Sequence, residues 1–179
     1  MGVVPWRAGG DDAGVEPVVL ATDGDAALGG MNVDAALLDM AASRQREGVR
    51  GAVMHDKHAL ESALLRCRGA KEALDERATA TVSGVHTWDD VVFTQEDLDA
   101  AHGAVLTMMQ TATVRALRRA DTPPSAIKRV LHVGGASRAR PVRAALLRAV
   151  PNAEHVRVQS AATAVARGAA RYAHILQTR

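Results

Sequence analysis

Apolar positions along this chain alternate between short β-branched runs and stripes at helical spacing, which predicts strands interleaved with helices. Residues 17–22 (PVVLAT) read as a strand, closed by the turn-forming Asp23-Gly24-Asp25. After Gly29-Gly30, the positions Val33, Ala36, Leu37, Met40 and Ala41 recur as on one helix, with Asn32 placed to cap it. That helix is expected to fade into a loop over 46–51, punctuated by Gly48 and Gly51. Leu60, Ala63, Leu64, Cys67 and Leu74 place a second helix over 57–74. Residues 78–83 (ATATVS) and 91–93 (VVF) read as short strands separated by a turn at Ser83-Gly84. Thr94 opens a long helix over 95–120, with Glu96 and Asp97 at its electropositive start and Arg115, Arg118 and Arg119 at its end. Asp121-Thr122-Pro123-Pro124 stops it. The last third reads as a strand (129–133), Gly134-Gly135, a helix opening around Pro141, a strand (155–158) and an Ala-rich helix (161–176). Residues 1–16 carry no periodicity and are expected to be a disordered leader. The class is α/β, with a second cluster of elements inserted between about 30 and 93.

Composition narrows the options. Hydrophobic residues at 47% and charged residues at 23% of 179 allow a sizeable core. No run of about eighteen apolar residues predicts a membrane helix, and the first residues lack a secretory apolar core, so a cytoplasmic location with no membrane partner is expected. A single cysteine, Cys67, rules out an internal disulfide. Aromatics are scarce: Trp6, Trp88, Phe93 and Tyr172. Nucleic-acid recognition by base stacking needs more of them, and no nucleic-acid partner is expected. Charge is unevenly spread, −9 over residues 1–114 and +11 over 115–179. The split fits an anionic partner, docking between the two parts, or a coding bias toward Arg and Ala on solvated faces.

Few residues stand out as chemistry. A strand running into Gly-Gly and then a helix lets backbone N–H groups approach a phosphate or ribose, with the helix start adding partial positive charge. Gly29-Gly30 and Gly134-Gly135 are two such places, and Arg138 beside the second can stack on a base or hold an anion. Taken alone, a Gly-Gly after a strand marks a tight turn more often than a ligand site, and neither is a Walker loop or a dinucleotide GxGxxG. His55 and His58 could share a helical turn, but without a third ligand they read as surface histidines. Ser43, Ser62 and Ser160 lack a nucleophile elbow, Asp89-Asp90 read as solvated, and Cys67 and Met108-Met109 read as core.

Five segments in order resemble the DnaK-type seventy-kilodalton heat-shock chaperones. VLATDGDAALGGMNVD (19–34) is similar to the family's V-x-A-T-x-G-D-x-x-L-G-G-x-x-F-D, and AKEALDE (70–76) to its A-K-x-x-L-S-S. FTQEDLD (93–99) resembles V-T-R-x-x-L/F-E, VLHVGGASRARPV (130–142) resembles V-x-L-V-G-G-x-T-R-x-P-x-V, and ATAVARGAA (162–170) resembles D-E-A-V-A-x-G-A-A.

The resemblance implies the second lobe of an actin-like (ribonuclease H-like) ATPase domain. Residues 17–29 and 94–179 would be its inner, sheet-bearing subdomain, and 30–93 its smaller outer one. It implies ATP or ADP as ligand, with adenosine gripped between the subdomains. Gly29, Gly30, Gly134 and Gly135 would line the nucleotide with backbone, Arg138 would stack on adenine, Lys71 would reach the ribose, and Ser137 would support the loop. Asp75 stands where the family has a purine-edge Ser, Arg68 where it has a ribose-contacting Glu, and Ala162 where it has an Asp, while Pro141 is shifted by one. These 179 residues contain no D-L-G-G-G-T phosphate loop and no first lobe. Magnesium would be reached only through that missing lobe, and unfolded polypeptide only through further absent domains. The expectation is therefore a partial chaperone, from a truncated, split or mis-delimited gene, that binds adenine nucleotide and does not hydrolyse it alone. The alternative is a non-catalytic module that docks to the missing lobe or another protein. A third reading, a basic nucleic-acid binder using Arg115, Arg118, Arg119 and 138–148, rests on charge alone.

Overall fold

A computed structural model describes residues 2–4, 18–85, 87–158, 160 and 163–177. The chain divides into two compact units, a split one made of 1–25 and 108–179 and a continuous one made of 26–107.

The continuous unit begins with α1 (Gly30–Ser43), α2 (Glu47–Met54) and α3 (Lys57–Leu74). Val33, Leu37 and Ala41 of α1 are buried at successive helical turns, and α1 packs on α3. The facing positions of α3 are Ala63, Cys67, Ala70 and Leu74, mostly small, which lets the two helices approach closely. Asp56 caps α3, accepting from the backbone N–H groups of His58 and Ala59 at 2.9 and 3.0 Å. Two corrections to the sequence reading arise here. Gly29, not Asn32, is the N-cap of α1, and Asn32 already lies inside the helix. The stretch expected as a loop over 46–51 is the first part of α2, with Gly48 and Gly51 inside it. Each glycine costs about 1 kcal/mol against alanine in a helix. Full burial of Val53, worth roughly 1.5–3 kcal/mol, and Glu47 in the first turn offset that cost.

The two expected strands, β3 (Thr79–Val82) and β4 (Val91–Thr94), pair antiparallel, Val82 opposite Val91. Gln45 closes their connection with two hydrogen bonds to the backbone of Asp89, at 3.0 and 2.9 Å. The helix α4 (Gln95–Arg119) starts on a reciprocal cap: Asp97 accepts from the backbone N–H of Thr94, and the Asp97 N–H is donated to the Thr94 hydroxyl. Arg44 ties this corner together, donating to the Val92 carbonyl at 3.0 Å, pairing with Asp97 and lying over the Phe93 ring.

In the split unit, α4 ends in a Schellman arrangement, Thr122 N–H to the Leu117 carbonyl and Asp121 N–H to Arg118. Asp121 takes the left-handed conformation this requires, at φ 46°. Strand β5 (Arg129–His132) crosses through α5 (Arg140–Ala149) to the parallel strand β6 (Glu154–Arg157), with Val130 opposite His155. Leu117, Val150 and Ala153 form a core under them, joined by Val3, Ile127 and Val130. Helix α6 spans Ala164–Gln177. At the other end the sequence reading changes in two places. The run expected as a strand over 17–22 narrows to β2 (Ala21–Thr22), and its partner is β1 (Gly2–Val3), taken from the stretch expected to be disordered. Residues 5–17 and Ala162 lie outside the described residues.

Candidate functional site

Gly134 follows β5 directly and adopts φ 86° and ψ 159°, a conformation that L side chains rarely adopt. A 3-10 turn over Gly135–Arg138 then precedes α5, which opens at Arg140, beside the expected start around Pro141. Ala139, extended at ψ 130°, separates the two helical segments. Ser137 fixes the turn: its hydroxyl donates to the Gly134 carbonyl at 2.7 Å, and its N–H reaches the same oxygen at 3.3 Å. A Cβ placed on Gly134 or Gly135 would meet nothing within 4 Å, so the turn presents open backbone. Arg138 ends it, exposed. The structure thus brings Gly134, Gly135, Ser137 and Arg138 into one strand–turn–helix, with open polar backbone and one exposed guanidinium, groups that can hold an anion.

In the continuous unit, Lys71 is committed. Its ammonium donates to the Gly30 carbonyl at 3.0 Å and lies 2.5 Å from Asp34 Oδ1, an ion pair without the directionality of a hydrogen bond. Lys71 is 18% and Asp34 6% exposed at the side chain. Gly29 is ordinary extended backbone at φ −169°. Lys71, Gly29 and Gly30 therefore meet at the start of α1, whereas Asp75 stands apart as the exposed C-cap of α3. Arg68 is turned to Glu72, 3.2 Å away on its own helix. Asp34 is the residue sequence reasoning missed. A carboxylate one position after Val33, on the same buried face as Leu37 and Leu38, was the available signal that a cation must sit opposite.

Other candidates resolve simply. His55 caps the end of α2 and His58 sits in the first turn of α3, so they do not share a helix. Among the described residues no group of three His, Cys, Asp or Glu could hold a metal ion. Cys67 is fully buried and its thiol is pushed up to about 12, by burial first and then by the nearby Asp34 charge, which leaves it unreactive. Of Met108-Met109, both expected in the core, Met109 is buried and Met108 half-buried. Of the basic cluster, Arg115 and Arg119 both converge on Asp23, at 2.7 and 2.9 Å, lining a small cleft with Thr22 and Gly24. No described helix is long and apolar enough to cross a membrane.

The family described as Hsp70 protein matches residues 13–179. The chain is 42% identical over 130 residues to the chaperone protein HscA homolog of Acidovorax ebreus, covering 72% of this chain and 20% of that protein. It is 38% identical over 126 residues to the chaperone protein HscA of Yersinia pseudotuberculosis, covering 70% and 18%. It is 32% identical over 131 residues to the HscA homolog of Cupriavidus metallidurans, covering 72% and 20%. The chain spans about a fifth of the length of these relatives. With residues 13–179 matched by one family and 42% identity to an HscA homolog over 130 residues, this chain belongs to the Hsp70 family.

Proposed function

We propose that this chain is an adenine-nucleotide-binding part of an Hsp70-family chaperone, corresponding to the second lobe of an actin-like ATPase domain. The observation that carries the reading is the turn at Gly134–Arg138: backbone held open by a positive φ, locked by Ser137, and followed by an exposed guanidinium. In the split unit, taken as the inner subdomain, Gly134 and Gly135 approach the nucleotide with N–H groups and Arg138 stacks on adenine. In the continuous unit, taken as the outer subdomain, Lys71 and Asp75 are assigned to the ribose and purine side, and Gly29 and Gly30 to the backbone lining. The Asp34 ion pair sets Lys71 in place before any ligand arrives. Bound ATP or ADP would supply the anion and the adenine ring that these groups recognise. The reading assigns binding, not hydrolysis: phosphoryl transfer needs metal and phosphate-cradling groups that the motifs of this chain do not include. Action on unfolded polypeptide belongs to the same proposal at the scale of the whole chaperone.

Calorimetry of the chain with millimolar ADP tests it. Binding heat is expected, weakened about tenfold by Arg138→Ala, the worth of one cation–π contact, and unchanged by His58→Ala. Absence of heat overturns it. A second reading, a protein-interaction module without nucleotide, draws on the exposure of Leu131 and Val133 beside the same turn. A chain silent to ADP that sediments as a stable complex would favour that reading.

A further inference from the structure

His132 ends β5, and His155 lies within β6. Val130 faces His155 and His132 faces Arg157 across the parallel pair, so the two imidazoles sit diagonally on one face. His132 Nε2 is 2.9 Å from His155 Nδ1, with ring centroids 5.2 Å apart. A single proton fills that gap, because one ring must donate where the other accepts. His132 is 4% exposed with the backbone of Ser137 beside it, and His155 Nε2 has no hydrogen-bond partner among the described residues. The charged groups facing the pair are Arg143 from α5 and Arg157 from β6; the backbone of Ser137, in the 3-10 turn, is the one neighbour that favours charge on His132. Glu154 points to the opposite face, where it pairs with Arg129 at 2.7 Å. Two guanidiniums beside the rings also oppose a metal cation there.

We infer that His132 and His155 form a proton-sensitive latch, which in its neutral state keeps β5 zipped to β6 and releases the Gly134-Gly135 turn when it takes up a proton. The latch deepens the nucleotide reading, since it lies under the turn assigned to that ligand. Burial first, then His155 and Arg143, holds His132 below its ordinary 6.5; burial and then Arg143 do the same for His155. Each ring binds a proton less readily folded than unfolded. The stability it contributes is complete above about pH 6.5 and is lost as pH falls through the folded values. Gly134 begins two residues after His132, so loosening at the strand end reaches the turn at once.

Amide hydrogen exchange of the whole chain, without nucleotide, tests the latch. Between pH 7.5 and 5.5, protection of residues 130–137 and 155–157, corrected for intrinsic rates, is expected to fall roughly tenfold or more. In His132→Leu and in His155→Gln that pH dependence shrinks, and in the double variant His132→Leu with His155→Gln it disappears. Flat protection in the unmodified chain overturns the inference, as does a pH dependence that persists undiminished in the single variants or survives in the double variant. Should His132→Leu fail to fold, His155→Gln at the less buried position carries the comparison. The imidazole nitrogen spectrum of the unmodified chain adds a separate reading: both rings titrating at the ordinary value overturns the latch. An ADP titration at pH 7.5 keeps the two ideas apart, because silence toward ADP defeats the nucleotide reading and leaves the exchange result standing.

Discussion

Asp34 and Lys71 show what one buried charge demands of its surroundings. The carboxylate sits among Val33, Leu37 and Leu38 and is compensated by a single ammonium, which also holds the Gly30 carbonyl. Removing one partner of such a pair leaves the other buried and uncompensated, whereas removing both together is close to neutral. Lys71→Met is therefore expected to destabilise the chain by about 3–5 kcal/mol. Asp34→Asn should cost less, because the ammonium keeps its bond to Gly30 and can reach water. The double change Asp34→Leu with Lys71→Met should recover most of the loss. Urea unfolding followed by circular dichroism measures all three, and a double variant no better than Lys71→Met alone would show that the pair is not the cause. Lys71 was legible in the sequence because it stands in a motif, A-K-x-x-L. Its partner was not, since a helical period sorts residues by face and is blind to which charge across the fold answers Asp34.

At the scale of elements, the readable segments were those whose ends are written in local chemistry. The acidic first turn, basic last turn and Asp-Thr-Pro-Pro stop of α4 placed that helix almost to the residue, and the structure realises them as a reciprocal cap and a Schellman end. What local chemistry misjudged was α2, where two glycines argued for a loop and the burial of Val53, a tertiary effect, outweighed them. The strands β1 and β2 were misjudged for a related reason: two-residue strands exist only through their partner, and pairing leaves no periodic trace. The glycine turn after β5 was seen as a place, but its two glycines looked alike. In the structure they differ, since only Gly134 has positive φ. Gly134→Ala is expected to destabilise by about 1–3 kcal/mol through backbone strain. Gly135→Ala has open space and an ordinary backbone, so it should be close to neutral for stability and act, if at all, on ADP binding. Thermal unfolding of the two variants separates them; equal losses would mean that crowding, not conformation, governs the turn.

For the whole molecule, the uneven charge invited an external anion, yet part of it is spent internally: Arg115 and Arg119 close on Asp23 within the split unit. The family was legible because five motifs survive in order; the internal wiring was not, because Asp23 and Arg115 stand 92 residues apart in sequence. That wiring sets the response to acid. Hydrogen bonds from Arg115, opposed by burial and aided by the charges of Arg115 and Arg119, hold Asp23 below the ordinary 3.8. Burial would raise Asp97 in the continuous unit, but Arg44 and Thr94 outweigh it and hold that carboxyl low as well. Stability from such carboxylates is present above their unfolded value and lost as pH falls through the folded one, so both units should weaken below about pH 4. Among the described residues the His132–His155 pair lies in the split unit, and from that pair a loss should begin there below about pH 6.5. Trp88 is buried in the continuous unit, so in a Trp6→Phe background its fluorescence follows that unit alone. On acidification, exchange at 130–133 should rise near pH 6 while Trp88 stays native until about pH 4. Asp97→Asn should flatten the later Trp88 transition and leave the earlier exchange step where it was. If Trp88 and β5 instead respond together near pH 6, the early step is not the work of the histidine pair within its own unit, and the division of acid sensitivity argued from these residues fails.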